Sequence, residues 1–347
     1  GIAMGAGSTL AMGADFDADA LAGHGGGLVS GLSEANLEIT RGARAIQDAD
    51  TVRVAQLRIG GADGGGAYRL EGSGDLVISD GGRLLVGTAD GAAGRFEWYR
   101  GAGSLATPDL TLFPSGTLAM GADFDAVALA NGTLFGGVLS GLSAAVLEVT
   151  HNATATQEGG KIAVYRLNIG TADGAGLWQL SAGSLSADDI RIGQAGEGTL
   201  RLEGGQLNVA RELNFGREAR LAAVPGSQVR LTGTDVRIMG GNPAHLADLV
   251  HLTLVFEPEN PASQSTLEVA GKNIGEALKG FEDNFALDGL VVGGPGRPGN
   301  VKLVDVFRNQ GPEEEALYVH SIYVLPGSVL NLNNLRVYYD REFVNEG

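Results

Sequence analysis

Apolar and polar positions alternate along this chain in short runs, and clusters of glycine separate the runs. Leu57 and Ile59, Leu200 and Leu202, and Leu207 and Val209 each put two apolar side chains on one face of an extended segment. Between such runs stand GGADGGG (60–66), TADGAAG (88–94) and TADGAG (171–176). No convincing amphipathic helix interrupts residues 57–240. The pattern therefore predicts strand, Gly-rich turn, strand, over and over.

The units repeat. Leu57 to Leu76 reads LRIGGADGGGAYRLEGSGDL, Leu85 to Leu105 LVGTADGAAGRFEWYRGAGSL, Leu167 to Leu185 LNIGTADGAGLWQLSAGSL, and Ile190 to Leu207 IRIGQAGEGTLRLEGGQL. A unit of about 20 residues is too small to close a core alone, so it is stable only when stacked on neighbours. Asp-Gly between apolar runs is also a hairpin signal, which leaves an antiparallel arrangement open. The loops are longer than a two-residue hairpin turn and recur at constant spacing, which favours coils over hairpins. The expected fold is all-β: a right-handed parallel β-helix, or β-solenoid, of about 20-residue coils.

A longer duplication lies over the short one. TLAMGADFDADALA (9–22) returns as TLAMGADFDAVALA (117–130), with Asp19 replaced by Val127. GLSEANLEIT (31–40) matches GLSAAVLEVT (141–150), and VAQLRIGGADGGGAYRL (54–70) matches VYRLNIGTADGAGLWQL (164–180), across loops of unequal length near His24 and Phe135. The module is thus about 110 residues long and present twice in tandem. Residues 1–108 read as one solenoid module and 109–240 as a second with extra coils. Composition shifts at about Gly241, and 241–347 read as a β-rich C-terminal cap or assembly region. Within it the apolar spacing of Ile274, Ala277, Leu278, Phe281 and Phe285 predicts one helix over 271–287. Strands are expected at 252–256, 301–307, 316–325 and 335–339.

Composition narrows the function classes. Glycine accounts for 57 of 347 residues and proline for only 10, which suits closely spaced turns rather than collagen or a disordered linker. The formal net charge of −17 opposes nucleic acid and anionic membrane surfaces as partners and favours cations or neutral partners. There is no cysteine, so neither disulfides nor thiolate metal sites hold the chain together. No apolar run approaches the roughly 20 residues of a membrane-spanning helix. The first residue is Gly, and the chain reads as a processed mature protein or an excised piece, with any signal peptide already removed.

The repeat LxIGxADGxGxLxLxGGxL, from Leu57 to about Gly240, resembles those of autotransporter passengers and of exported bacterial proteins that carry a PEP-CTERM sorting signal. The resemblance implies a secreted or surface-displayed parallel β-helix with a structural, adhesive or matrix role. The chain departs from those families in ending at Gly347 with no sorting helix, Arg-rich tail or membrane barrel.

Candidate chemistry is sparse. Asp15 and Asp17, with their duplicates Asp123 and Asp125, could hold Ca²⁺, since carboxylates two apart on a strand share a side; solvated loop carboxylates are the competing reading. Asp63, Asp90 and Asp173 sit in Gly turns, where each caps its own backbone or joins a cation ladder. Trp98, Tyr99 and Trp178 could stack on a sugar ring or pack between coils or molecules. GPGRPG (294–299) formally fits a dinucleotide fingerprint, yet Pro295 and Pro298 remove N–H donors and a strand follows, so it reads as a loop. Asp188, Asp189 and Arg191 form the nearest approach to a polysaccharide-cleaving cluster. Neighbours on a strand point to opposite faces, so only one aspartate could join a site. The five histidines are scattered, and Asn131–Thr133 and Asn152–Thr154 match glycosylation sequons.

The expectation is an extracellular or cell-surface structural solenoid that self-assembles into a filament, sheath or layer, with no catalytic residues and no cofactor beyond Ca²⁺. The alternatives are an adhesin or glycan-binding module and, third, a polysaccharide-degrading enzyme.

Overall fold

The structure, a computed structural model, describes residues 2–3, 9–21, 29–30, 32–99, 104–107, 109–131, 138–233, 235–260, 262–311 and 314–347. Most of the Gly- and Ala-rich N-terminal segment, the loops at His24 and Phe135, and the sequon beyond Asn131 lie outside the described residues. The fold is an all-β parallel β-solenoid. The chain divides into two compact units: Gly1–Thr156 with Ile162–Tyr165, and Gln157–Lys161 with Arg166–Gly347.

In the first unit, strands from successive coils stack in parallel columns. One column runs Thr9–Met12, Asn36–Ile39, Gln56–Ile59, Leu84–Val86, Asp109–Leu112 and Val138–Ser140. Its inward positions line up as a leucine ladder, Leu10, Leu37, Leu57, Leu84, Leu110 and Leu139. Period-two alternation explains this, because only one face of each strand meets the core and the parallel register repeats the choice coil after coil. A second column runs Phe16–Asp17, Ala43–Gln47, Gly66–Leu70, Gly94–Tyr99, Gly116–Gly121 and Val146–Val149. Tyr68 and Phe96 stack there, ring centroids 6.2 Å apart. A third column holds Thr51–Val54, Asp75–Ile78 and Leu105–Ala106. The duplicated sequence does not return to the same column. Thr9–Met12 heads the first, whereas Thr117–Met120 lies in the second.

The second unit is built the same way. Leu185, Leu207, Val229, Leu254, Leu290, Ile322 and Phe343 stack in one ladder, and Ile190, Leu213, Val236, Leu267 and Leu303 in another. All but Phe343 are at most 2% exposed. The columns do not stop where composition shifts at about Gly241. They continue through Leu252–Phe256, Leu287–Val292, Glu315–Val324 and Glu342–Asn345, with longer excursions between coils. Pro243–His251 forms one such excursion, in 3₁₀ turns packed over Ala219–Ala223; Asn242 caps its start and Asp248 accepts a hydrogen bond from Ala223 N.

The helix expected over 271–287 does not form. Gly271–Lys272 is a short strand antiparallel to Glu315–Ala316, and only Leu278–Phe281 makes a 3₁₀ turn. The apolar positions do not share a buried face: Leu278 is 74% exposed, while Phe281 and Phe285 are buried. Asn284 replaces helical hydrogen bonds, accepting from Lys272 N and donating to the carbonyls of Lys272 and Gly280. Its neighbours Asp283 and Phe285 adopt left-handed backbone, which ends any helix.

Coil corners depend on the absence of a side chain. After Ile192 the chain turns at Gly193, whose φ is 63°, and re-enters a strand at Gly198. A Cβ on Gly198 would overlap the carbonyl oxygen of Ile169 in the coil below. Gly66, Gly94 and Gly116 stand in register at the equivalent corner of the first unit, each against a backbone carbonyl. GADG at 61–64 and TADG at 171–174 close their corners with a tight antiparallel bridge, Gly61 to Gly64 and Thr171 to Gly174; GPGR does likewise between Gly294 and Arg297. GPGRPG is therefore a solenoid corner.

Gly198→Ala is expected to cost about 2 kcal/mol of unfolding free energy, because a backbone carbonyl must move to admit the methyl group. Gly226→Ala, at φ 84° but with open space around the added carbon, is expected to cost about 1 kcal/mol, from backbone strain alone. Denaturant midpoints check the order; equal costs would refute the close-approach argument.

Candidate functional site

The densest chemistry lies on outward-facing strand positions, as arginine and carboxylate ladders. In the first unit Glu97 follows the inward-facing Phe96, so its side chain leaves the core side of the strand, yet it is only 3% exposed. Three arginines from three coils enclose it: Arg44 at 2.9 Å, Arg69 at 2.6 Å and Arg95 at 2.7 Å. Arg95 also reaches Glu148 at 2.6 Å. Arg69 lies over the Tyr99 ring at 4.6 Å, and Tyr99 packs on His151 with centroids 4.0 Å apart. Burial lowers the pKa of Arg95, but Glu148 and Glu97 outweigh it and hold the guanidinium above its ordinary range.

The second unit has its own hub. Asp189 is fully buried and binds Arg166 at 2.8 Å and Arg211 at closer range, with Arg191 at 4.0 Å. Arg191 and Arg237 meet Glu212 from the flanking coils at 3.3 and 3.4 Å. Burial pushes the Asp189 carboxyl up, yet hydrogen bonds from Arg211 and Arg166 and their charges win, and it sits below the usual carboxylate range. Of the Asp188–Asp189 pair, Asp189 joins the hub and Asp188 is exposed. An ionised carboxylate held by guanidiniums is a poor proton carrier, and its geometry is that of a coil-to-coil lock.

The other expected residues take local roles. Asp15 accepts a hydrogen bond from Arg44 N and Asp123 one from Thr154 N, both at 2.7 Å, so each clamps the following coil. Asp17 accepts from Asp19 N, and Asp125 caps the short helix Ala126–Ala130 through Val127 N. Among the described residues no three histidine, aspartate or glutamate side chains are grouped so as to hold a metal ion. Asp63 pairs with Arg41 at 2.7 Å on an exposed corner, and Thr171 Oγ1 accepts from Asp173 N. Asp90 is exposed on its corner. Trp178 is 0% exposed and Tyr99 5%, so neither offers a ring face to a sugar from solution; Trp98 is half-buried.

The duplication exchanges one buried partner. Gln47 donates to the carbonyls of Asp50 and Asp75 while its Oε1 accepts from Tyr68 OH at 2.5 Å. In the second copy Gln157 stands for Gln47 and Trp178 for Tyr68, and Gln157 Oε1 is buried with no partner.

Sequence reasoning missed the Glu97 hub and two buried glutamates, Glu268 and Glu315. The available signal for Glu97 and Glu268 was an acid between apolar residues, as in RFEWY and STLEVA; Glu315 follows Glu313 and Glu314 and carried no such signal. Against known proteins, no family model, no curated protein and no solved structure matches this chain.

Asp189→Asn leaves three guanidiniums around a neutral amide and is expected to cost about 2 kcal/mol, less than a fully enclosed pair because the arginines reach solvent. The exposed Asp63→Asn is expected to change stability by under about 0.5 kcal/mol. Because the folded-state pKa of Asp189 lies below its ordinary 3.8, its stabilisation is present above that pH and lost as pH falls through the folded value. The variant should flatten that acid limb in thermal melts, and an unchanged limb would refute the assignment.

Proposed function

We propose that this chain is a structural β-solenoid of the bacterial surface or extracellular matrix, and that it assembles with copies of itself. The observation that carries the reading is the register of the stack, which repeats the same inward ladder coil after coil up to the coil of residues 329–345. Its strands Val329–Asn331, Arg336–Tyr338 and Glu342–Asn345 pair with the coil before them, and Val329, Leu332, Tyr339 and Phe343 remain between 43% and 53% exposed. With Ile322, Val324 and Val337 these four residues line a cavity of about 480 Å³. Phe343 continues the ladder that passes through Leu185 and Ile322, and the same register would let a further coil, such as one from another copy, cover it and pair its strand.

The charged hubs support the same reading. Their carboxylates are buried under arginines of their own and neighbouring coils, which suits a stiff stack of coils better than a reaction centre. The cysteine-free, Gly-rich and acidic composition fits export. Cation binding at Asp15, Asp17, Asp123 and Asp125 would add a Ca²⁺ dependence to assembly, read by imaging with and without chelator.

Leu332→Asp with Phe343→Asp should reduce self-association of the purified chain, measured by sedimentation velocity across a concentration series and by electron microscopy. Monomers at every concentration in the unaltered protein would count against the proposal, as would assembly unaffected by the two substitutions.

A further inference from the structure

Two fully enclosed glutamates in the second unit have no structural role in the core ladders. Glu268, at the end of Ser265–Glu268, is 2% exposed, and Glu315, at the start of Glu315–Val324, is 3% exposed. Both turn onto the same stretch of backbone, residues 305–311. Glu268 Oε1 accepts from Val306 N at 2.8 Å and Phe307 N at 2.7 Å. Glu315 Oε1 accepts from Asn309 N at 2.5 Å and Gln310 N at 2.8 Å. Asn309 is itself buried, and its Nδ2 donates to the carbonyls of Ile238 and Gly240, both at 2.8 Å. One short segment is thus held at four N–H groups by two carboxyls and anchored to an earlier coil by one amide.

Two oxygens in this arrangement are buried without a partner: Glu315 Oε2 and Asn309 Oδ1. Both are acceptors when Glu315 is ionised, so neither can satisfy the other. A proton on Oε2 turns that atom into a donor, and the residue bonded to Oε1 carries the unsatisfied Oδ1. Protonation leaves Oε1 free to accept its two N–H groups as before.

We propose that Glu315, with Glu268 beside it on the same segment, forms a proton-operated clasp, which holds residues 305–311 against the solenoid when Glu315 is protonated and loosens that segment when it ionises.

The surrounding charges act in that direction. Asp305, on the clasped segment, repels both glutamates in their ionised form, and Glu315 acts likewise on Glu268. Arg308 acts on Asp305. Arg237, on the neighbouring strand Asp235–Ile238, is engaged by Glu212 and Asp235, and Lys272 stands opposite Glu315 in the antiparallel register. Burial, the largest cause, pushes both carboxyls up to about 7 against the pull of the four N–H groups, with Asp305 adding to the rise. A folded-state value above the ordinary 4.5 means stability that is complete below about 4.5 and lost as pH rises to about 7. The clasp therefore tightens in mild acid and slackens just above neutrality. Val306, 68% exposed on the clasped segment, would move with it.

Amide hydrogen exchange on the whole chain tests this. After correction for intrinsic exchange, protection at Val306, Phe307, Asn309 and Gln310 should fall about tenfold or more from pH 5 to pH 8, one pKa unit of coupling being a factor of ten. Protection at Leu200 and Leu221 should not follow. Glu268→Gln with Glu315→Gln, which keeps the acceptors but cannot ionise, should hold pH 8 protection at the acid level. Flat protection in the unaltered chain, or the same slope in the double variant, overturns the clasp. So does restoration of pH 8 protection by Ca²⁺, which would make the carboxyls cation ligands. Should the double variant fail to fold, carbon-13 titration of the glutamate carboxyls in the unaltered chain decides, and midpoints near 4.5 for both reject the proposal.

Discussion

The distance between one coil's corner and the backbone beneath it governs this structure. Parallel strands stack in register only if the corners stack too, and at Gly198 the chain passes so close to Ile169 that no Cβ fits. The same constraint recurs at Gly66, Gly94 and Gly116. Once the corners are fixed, the ladders follow, because each strand's inward positions are placed over those of the coil below. The high glycine content is thus the means by which backbone approaches backbone.

Stacking in register also brings side chains from separate coils together outside the core. Residues one or two coils apart in sequence become neighbours, so that Glu97 gathers Arg44 and Arg69 beside Arg95 of its own strand, as Asp189 gathers Arg166 and Arg211 beside Arg191 of its own. Each carboxylate is enclosed by guanidiniums that themselves reach solvent, so desolvation is limited while the Coulombic gain is kept. The contrasting case is Glu268 and Glu315, enclosed by backbone N–H groups and near other carboxylates. Burial there raises the pKa, whereas at Asp189 it is overridden. Two kinds of buried acid thus serve one fold, distinguished by the sign of the charge that surrounds them.

Strand positions, the parallel solenoid and the glycine corners were legible in the sequence, since period-two alternation and the turn motifs are local signals. Leu252–Phe256 was predicted to the residue. The helix over 271–287 was not legible, because its apolar spacing was produced by residues with unrelated fates: Phe281 and Phe285 enter the core, Leu278 faces water, and Asn284 bonds to Lys272 and Gly280. The charged hubs were invisible for a different reason. Glu97 and its arginines lie on three coils, and no local pattern states which outward residues will meet.

TLAMGADFDA shows where the two sources of information divide. The sequence by itself determined that 9–18 and 117–126 are the same local structure: in both, the first aspartate clamps the next coil and the second begins a helical turn. Only the tertiary structure decided that Thr9–Met12 and Thr117–Met120 occupy different columns. A strand's column depends on the number of corners before it, and that sum is not encoded in the strand. The duplicated module advances the chain by one face beyond whole turns, so identical residues meet different neighbours. Local sequence sets conformation, and accumulated coil geometry sets contact.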